Sequence, residues 1–120
     1  MFKEISEKDW KLFKARLIIW QESYINKLNH EYIEILSSKE NASDKFWRLE
    51  KWIKQDKRST GVICEVKRSN LIENIFSLID EGVICFDDLS GFSDNLKATV
   101  KLILEILQGK KSAEEDRWIK

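Results

Sequence analysis

Residues 7–36 read EKDWKLFKARLIIWQESYINKLNHEYIEIL, a run with neither proline nor glycine. At about 100° per residue, Trp10, Phe13, Leu17, Trp20, Tyr24, Ile25, Leu28, Tyr32, Ile35 and Leu36 fall on one face. That spacing predicts an amphipathic helix from Glu7 to Leu36, opened by Ser6 as N-cap with Asp9 in the first turn. Unbroken, such a helix is about 45 Å long, whereas a compact chain of this size has a radius of gyration of roughly 13–14 Å. Four apolar residues, Leu17-Ile18-Ile19-Trp20, blur the phase, so a break or kink is expected there. The alternative is a straight helix whose overhang a second copy of the chain covers.

Downstream of this helix the same periodicity recurs three times. Lys39–Ala42 is polar and reads as a loop. Asp44–Lys57 reads as a second helix behind a Ser43 cap, with Phe46, Leu49, Trp52 and Ile53 turned inward. Val62–Arg68 is too short for periodicity to choose between a helix and an extended piece. Leu71–Glu81, preceded by Asn70 and with Glu73 in its first turn, is a clear amphipathic helix. Gly82 ends it, Val83-Ile84 tucks back, and Phe86–Leu89 makes a turn. Asp94–Gln108, capped by Ser93, carries an apolar arc so wide that only Lys97, Lys101, Glu105 and Gln108 stay polar. A helix of that kind lies at the centre of a bundle or forms half of an oligomer interface. Gly109 is expected to stop it, leaving Lys110–Lys120 as a polar tail with at most one docked turn around Trp118-Ile119.

These elements predict an all-α, compact single-domain bundle of four to six helices over residues 1–109. The chain has 120 residues, 42% of them apolar, enough to bury a core without metal or disulfide staples. Its 21 Lys+Arg balance 21 Asp+Glu, unlike the excess charge of generic nucleic-acid or membrane coats. No apolar run approaches the roughly 20 residues of a membrane helix, and the first residues lack the plan of a signal peptide. A cytoplasmic protein with no membrane contact is expected. Cys64 and Cys85 both stand in apolar company, so both read as buried, reduced thiols.

Chemistry-bearing patterns are few. His30, the single histidine, falls on the polar side of the first helix, and no second histidine or paired thiol accompanies it. Glu81–Leu89 has the letters of the back half of a calcium loop, but its leading ligand positions fall on Ser77 and Ile79, and Ile79 offers no oxygen. No phosphate-binding glycine loop or hydrolase motif occurs. The expectation is a protein that is not an enzyme and needs no cofactor or metal.

One pattern points outward. Trp47, Lys51, Lys54 and Arg58 follow i, i+4, i+7, i+11 spacing on the outer face of the second helix, and Lys67 and Arg68 follow soon after. Aromatic rings interleaved with cations suit an acidic protein surface or single-stranded nucleic acid. The competing reading is a solvated helix face whose lysines rest on the Trp47 ring. Trp118 is the other tryptophan that its position leaves free for a partner. The sequence therefore predicts an interaction or regulatory module, monomeric or a small homodimer, with a protein partner. The alternative is a nucleic-acid-associated accessory protein using the same six residues.

The opening Phe2-Lys3-Glu4-Ile5-Ser6-Glu7-Lys8-Asp9-Trp10-Lys11-Leu12-Phe13, the block Gly82–Leu89 and the helix Ser93–Leu107 resemble a group of short helical bacterial proteins. Some members carry the label "multidrug transporter". The resemblance covers most of the chain and brings no functional residues with it. With no bilayer-spanning segment, the most the label implies is an accessory of a transport system.

Overall fold

The computed structural model describes the backbone of residues 5–118 and the side chains of residues 5–107. It is all-α: α1 (Glu7–Ser37), α2 (Ala42–Asp56), α3 (Leu71–Asp80) and α4 (Asp94–Trp118), with 3₁₀ turns at Arg68–Asn70 and Phe86–Leu89. There is no strand among the described residues.

The expected break near Leu17–Trp20 does not occur, and α1 is helical through all 31 residues. The phase blur resolves by exposure instead. Leu17 is buried, Trp20 packs against the core, and Ile18 and Ile19 stay 66% and 67% exposed. The molecule is consequently flat and open, with extents of 53 × 46 × 21 Å and a radius of gyration of 17.7 Å. A thickness of 21 Å is about two helix diameters.

The core lies on the N-terminal half of α1. Phe13 and Leu17 meet Leu71, Ile75 and Leu78 of α3, Leu89 and Phe92 of the loop after it, and Leu96 and Val100 of α4. Each such side chain contributes about 1.5–3 kcal/mol when fully buried. The N-caps at Ser6 and Ser93 form as expected: Ser6 Oγ accepts from Asp9 N–H at 3.1 Å, and Ser93 Oγ accepts from Leu96 N–H at 3.3 Å. Asn41, not Ser43, opens α2, and neither Asn41 nor Asn70 makes a side-chain cap. At the end of α3, Val83 N–H donates to Leu78 O and Gly82 N–H to Ile79 O, with Gly82 at φ +77°. That paired bonding is the left-handed glycine stop, and it turns Ile84 into the core.

Beside the C-terminal half of α1 lies α2, followed by the turn at Gly61, which approaches Tyr24. Lys45 Nζ donates to Leu36 O, Tyr32 hydroxyl to Asp56, and Gln21 Nε2 to Thr60 O. The partner on α1 moves toward its N-terminus as the chain advances, so α2 runs antiparallel to it. Leu28 and Ile35 are buried there, outside the main core cluster. The chain then continues as an extended connector, Ile63–Lys67, with no regular structure. Glu81 holds its start by accepting from Ser59 Oγ, Thr60 N–H and Thr60 Oγ1 at 2.8–2.9 Å. Its end is pinned to the first turn of α1 by Arg68, which reaches Glu7 at 2.7 Å and Ile5 O.

Three further expectations are corrected. Helix α4 does not stop at Gly109 but runs to Trp118. A glycine inside a helix costs only about 1 kcal/mol, and no left-handed turn replaces it here. The expected polar tail with a docked turn is therefore a helix extension, and the side chains of Trp118 and its neighbours lie outside the described residues. The wide apolar arc of α4 is buried only at its first turns: Leu96 and Val100 are inside, whereas Leu102 and Ile106 are 57% and 51% exposed. Cys85 is exposed because it caps the Phe86–Leu89 turn, its N–H bonded to Asp88 at 2.8 Å, while Cys64 is half-buried against the core. Burial pushes the Cys64 thiol pKa up, with smaller help from Glu65 and Glu81.

Candidate nucleic-acid or protein interface on α2

Helix α2 contains no buried residue. Leu49 and Trp52 are its half-buried apolar residues, and Trp52 lines a groove together with buried Ile35 of α1. Phe46 and Ile53, expected on the inner arc, are instead 61% and 37% exposed. One helix opposite another covers an arc too narrow to include them. Arg48 pairs with Glu40, lies 5.9 Å from the Trp52 ring, and closes the groove that Glu31, Glu34, Ser38 and Trp52 line on one side of the hairpin.

The outer face carries the predicted stripe. Trp47 is 63% exposed, and among the described residues its one ring partner is Phe46, edge-on at 4.9 Å between ring centres. Lys51 and Lys54 are exposed on the same face, and exposed Arg58 stands in the turn just past the helix end. Lys51, Lys54 and Arg58 make no ion pair among the described residues. The lysines do not rest on the Trp47 ring; the cation–ring contacts described are Lys14 on Trp10, Arg16 on Phe92 and Arg48 on Trp52.

Lys67 and Arg68 do not join this stripe. Lys67 pairs with its neighbour Glu65 at 2.8 Å, and Arg68 is engaged by Glu7. Glu7 lies at one end of α1 and Leu36, which receives Lys45 of α2, at the other. Those ends are about 40 Å apart, and the Arg58 end of the stripe, where Thr60 meets Gln21, is about 20 Å from Glu7 at 1.5 Å per residue. The six candidates therefore divide into a surface of four on α2 and a pair that ties the connector to α1.

The sequence reading missed a second surface. Phe46, Leu49 and Ile53, with Glu50, Lys54 and Lys57 at the rim, line a shallow groove of about 440 Å³ along one flank of α2. The signal was present in the i, i+3, i+7 spacing of Phe46, Leu49 and Ile53, which overlaps the arc that faces α1 and hides within it.

Elsewhere the chemistry is sparse. His30 is exposed on α1, and among the described residues no three His, Cys, Asp or Glu side chains gather as a metal-binding group. No described helix is long and apolar enough to cross a membrane. The chain matches no protein-family model, no curated relative and no solved structure at significance.

Proposed function

We propose that this protein is a non-enzymatic interaction module that engages an acidic protein surface through the outer face of α2. The observation that carries the reading is the combination on that face of an uncovered Trp47 with three cations, Lys51, Lys54 and Arg58, that have no ion-pair partner among the described residues. Indole rings supply apolar area with one polar atom and are favoured as interface anchors. Flanking cations steer an acidic partner and fix its register.

Three charges favour a protein over nucleic acid. A stripe that neutralises at most about three phosphates gives a weak electrostatic contact, with a salt slope of about −2 on a single strand. Lys67 and Arg68, which would have enlarged it, are engaged by Glu65 and Glu7.

The test is retention from host lysate on immobilised protein, before and after nuclease treatment, beside the Lys51→Glu/Lys54→Glu variant. A protein retained after nuclease and lost with the variant is the expected result. Retention that the double reversal leaves unchanged overturns the reading, and retention that nuclease abolishes transfers the stripe to nucleic acid.

A further inference from the structure

An adjoining face of the same hairpin carries a further inference; it meets the Trp47 stripe at Phe46 and shares Lys54 with it at the rim. In α1, Leu28 and Ile35 mark the line that faces α2. Ile18, Ile25 and Leu36 lie about 80–100° round from it, all on one flank. In α2, Phe46 and Ile53 lie about 40–60° round from Leu49 in the same sense. Because the helices are antiparallel, flanks of the same sense lie on the same side of the pair. The opposite flank shows this directly, since Glu31, Glu34 and Ser38 of α1 share one groove with Arg48 and Trp52 of α2.

Ile18, Ile25, Leu36, Phe46 and Ile53 therefore form one apolar face across two helices. Ile18 is 66%, Leu36 50% and Phe46 61% exposed. The core contacts of α1 lie on other sides of the helix, and the molecule is only 21 Å thick.

We propose that the occupant of this face is a second copy of the chain, packed with its α1 antiparallel to the first, so that the two hairpins form a four-helix bundle. The first argument is register. An antiparallel copy centred near residue 27 sets Ile18 opposite Leu36 of the second copy and brings the two Ile25 within about 6 Å of each other along the axis. The second is area. The five side chains expose about 450 Å² of apolar surface, set against the roughly 800 Å² per partner, a little over half of it apolar, of a standard interface. The third is charge. Lys11 and Lys14 stand exposed beyond one end of the α1 row, and the antiparallel copy brings them just past the C-terminal end of its α1, opposite positions 43 and 40. The last turn there has no basic residue of its own, its dipole end is negative, and Lys45 of α2 is the cation already donating to it, at Leu36 O. Glu50 beside Lys54 and Lys57 leaves the α2 rim mixed in sign, which suits a copy of itself better than a partner of one sign. The pairing puts the two core lobes at opposite ends and leaves Trp47 and Lys51 facing outward.

Light scattering over a dilution series tests the dimer, with Leu36→Glu/Phe46→Glu as the variant. The expected native mass is twice the 14.3 kDa of the chain at tens of micromolar, falling by half on dilution. The variant stays at the monomer mass throughout, with unchanged helical circular dichroism. A native chain that is monomeric at every concentration overturns the proposal, as does a dimer that survives the double substitution. Spin labels in the otherwise native chain (Cys85→Ser) give a second measurement that does not depend on the variant folding. Labels at Asn29→Cys lie near the symmetry axis and should read roughly 20 Å, whereas labels at Lys11→Cys should read about 50 Å from the helix rise. Short separations at both positions contradict the antiparallel pairing.

Discussion

The carboxylate of Asp9 accepts hydrogen bonds from the backbone N–H of Ser93 at 2.9 Å and from its hydroxyl at 2.6 Å, across 84 positions of sequence. Asp9 is itself 97% buried, the one buried charged residue among those described. Its carboxylate lies at the positive end of α1 and beside the start of α4, so one anion serves two helix N-termini. Removing it leaves the Ser93 donors without a partner. Asp9→Ala should cost about 2–3 kcal/mol, a fall of roughly 10–15 °C in Tm for a chain of this length. Ser93→Ala should cost less than that. The double variant should fall short of the sum, because the two residues share one interaction. Thermal unfolding by circular dichroism measures all three.

This contact also marks what sequence reading reaches. Ser6 and Ser93 are legible as caps, because a short polar residue before an apolar period has a local mechanism. That Asp9 serves both helices is not legible, since nothing in residues 6–9 refers to residue 93. The same limit explains α2. Periodicity identifies it as a helix and places Trp47 outside, but periodicity assumes that every apolar residue finds a partner. Only the three-dimensional arrangement says that α2 packs chiefly on α1 and leaves Phe46 and Ile53 in solvent. Arg68 sits ten residues past Arg58 in sequence, yet the extended connector carries it to the far end of α1.

Two glycines should respond in opposite directions. A Cβ at Gly61 would stand 2.5 Å from Tyr24 Cδ2 and 2.8 Å from Val83 Cγ2, so Gly61→Ala should cost about 1–3 kcal/mol through overpacking. Gly109 lies within α4, so Gly109→Ala should stabilise the helix by up to about 1 kcal/mol. Urea midpoints read both signs. A stabilising Gly61→Ala would contradict the close approach of the connector to α1.

Thiol reactivity should separate the two cysteines. Cys85 is exposed, whereas Cys64 is half-buried with its pKa raised by burial. Iodoacetamide near pH 8 should label Cys85 first and Cys64 much more slowly, because the thiolate is the nucleophile. Mass spectrometry of a time course reads the order. Equal rates would place Cys64 outside the core.

The hairpin should weaken in alkali. Burial, and then the hydrogen bond to Asp56, raise the Tyr32 pKa well above the usual value for a phenol. A group whose folded pKa is raised contributes stability that is whole below the unfolded value of about 10. That contribution is lost as pH rises from there through the folded pKa. Absorbance at 295 nm should show the Tyr32 phenolate at a higher pH in the native chain than in Asp56→Asn. Coincident titration curves would remove the Tyr32–Asp56 bond from the account.

The outer face of α2 is the centre of the functional reading, and a photo-crosslinking residue placed at Trp47 in the native host tests it most directly, with His30 as an exposed control on α1. Position 47 should give a protein adduct that Lys51→Glu/Lys54→Glu abolishes, and position 30 none of the same mass. No adduct from position 47, or one that persists through the double charge reversal, would contradict that reading.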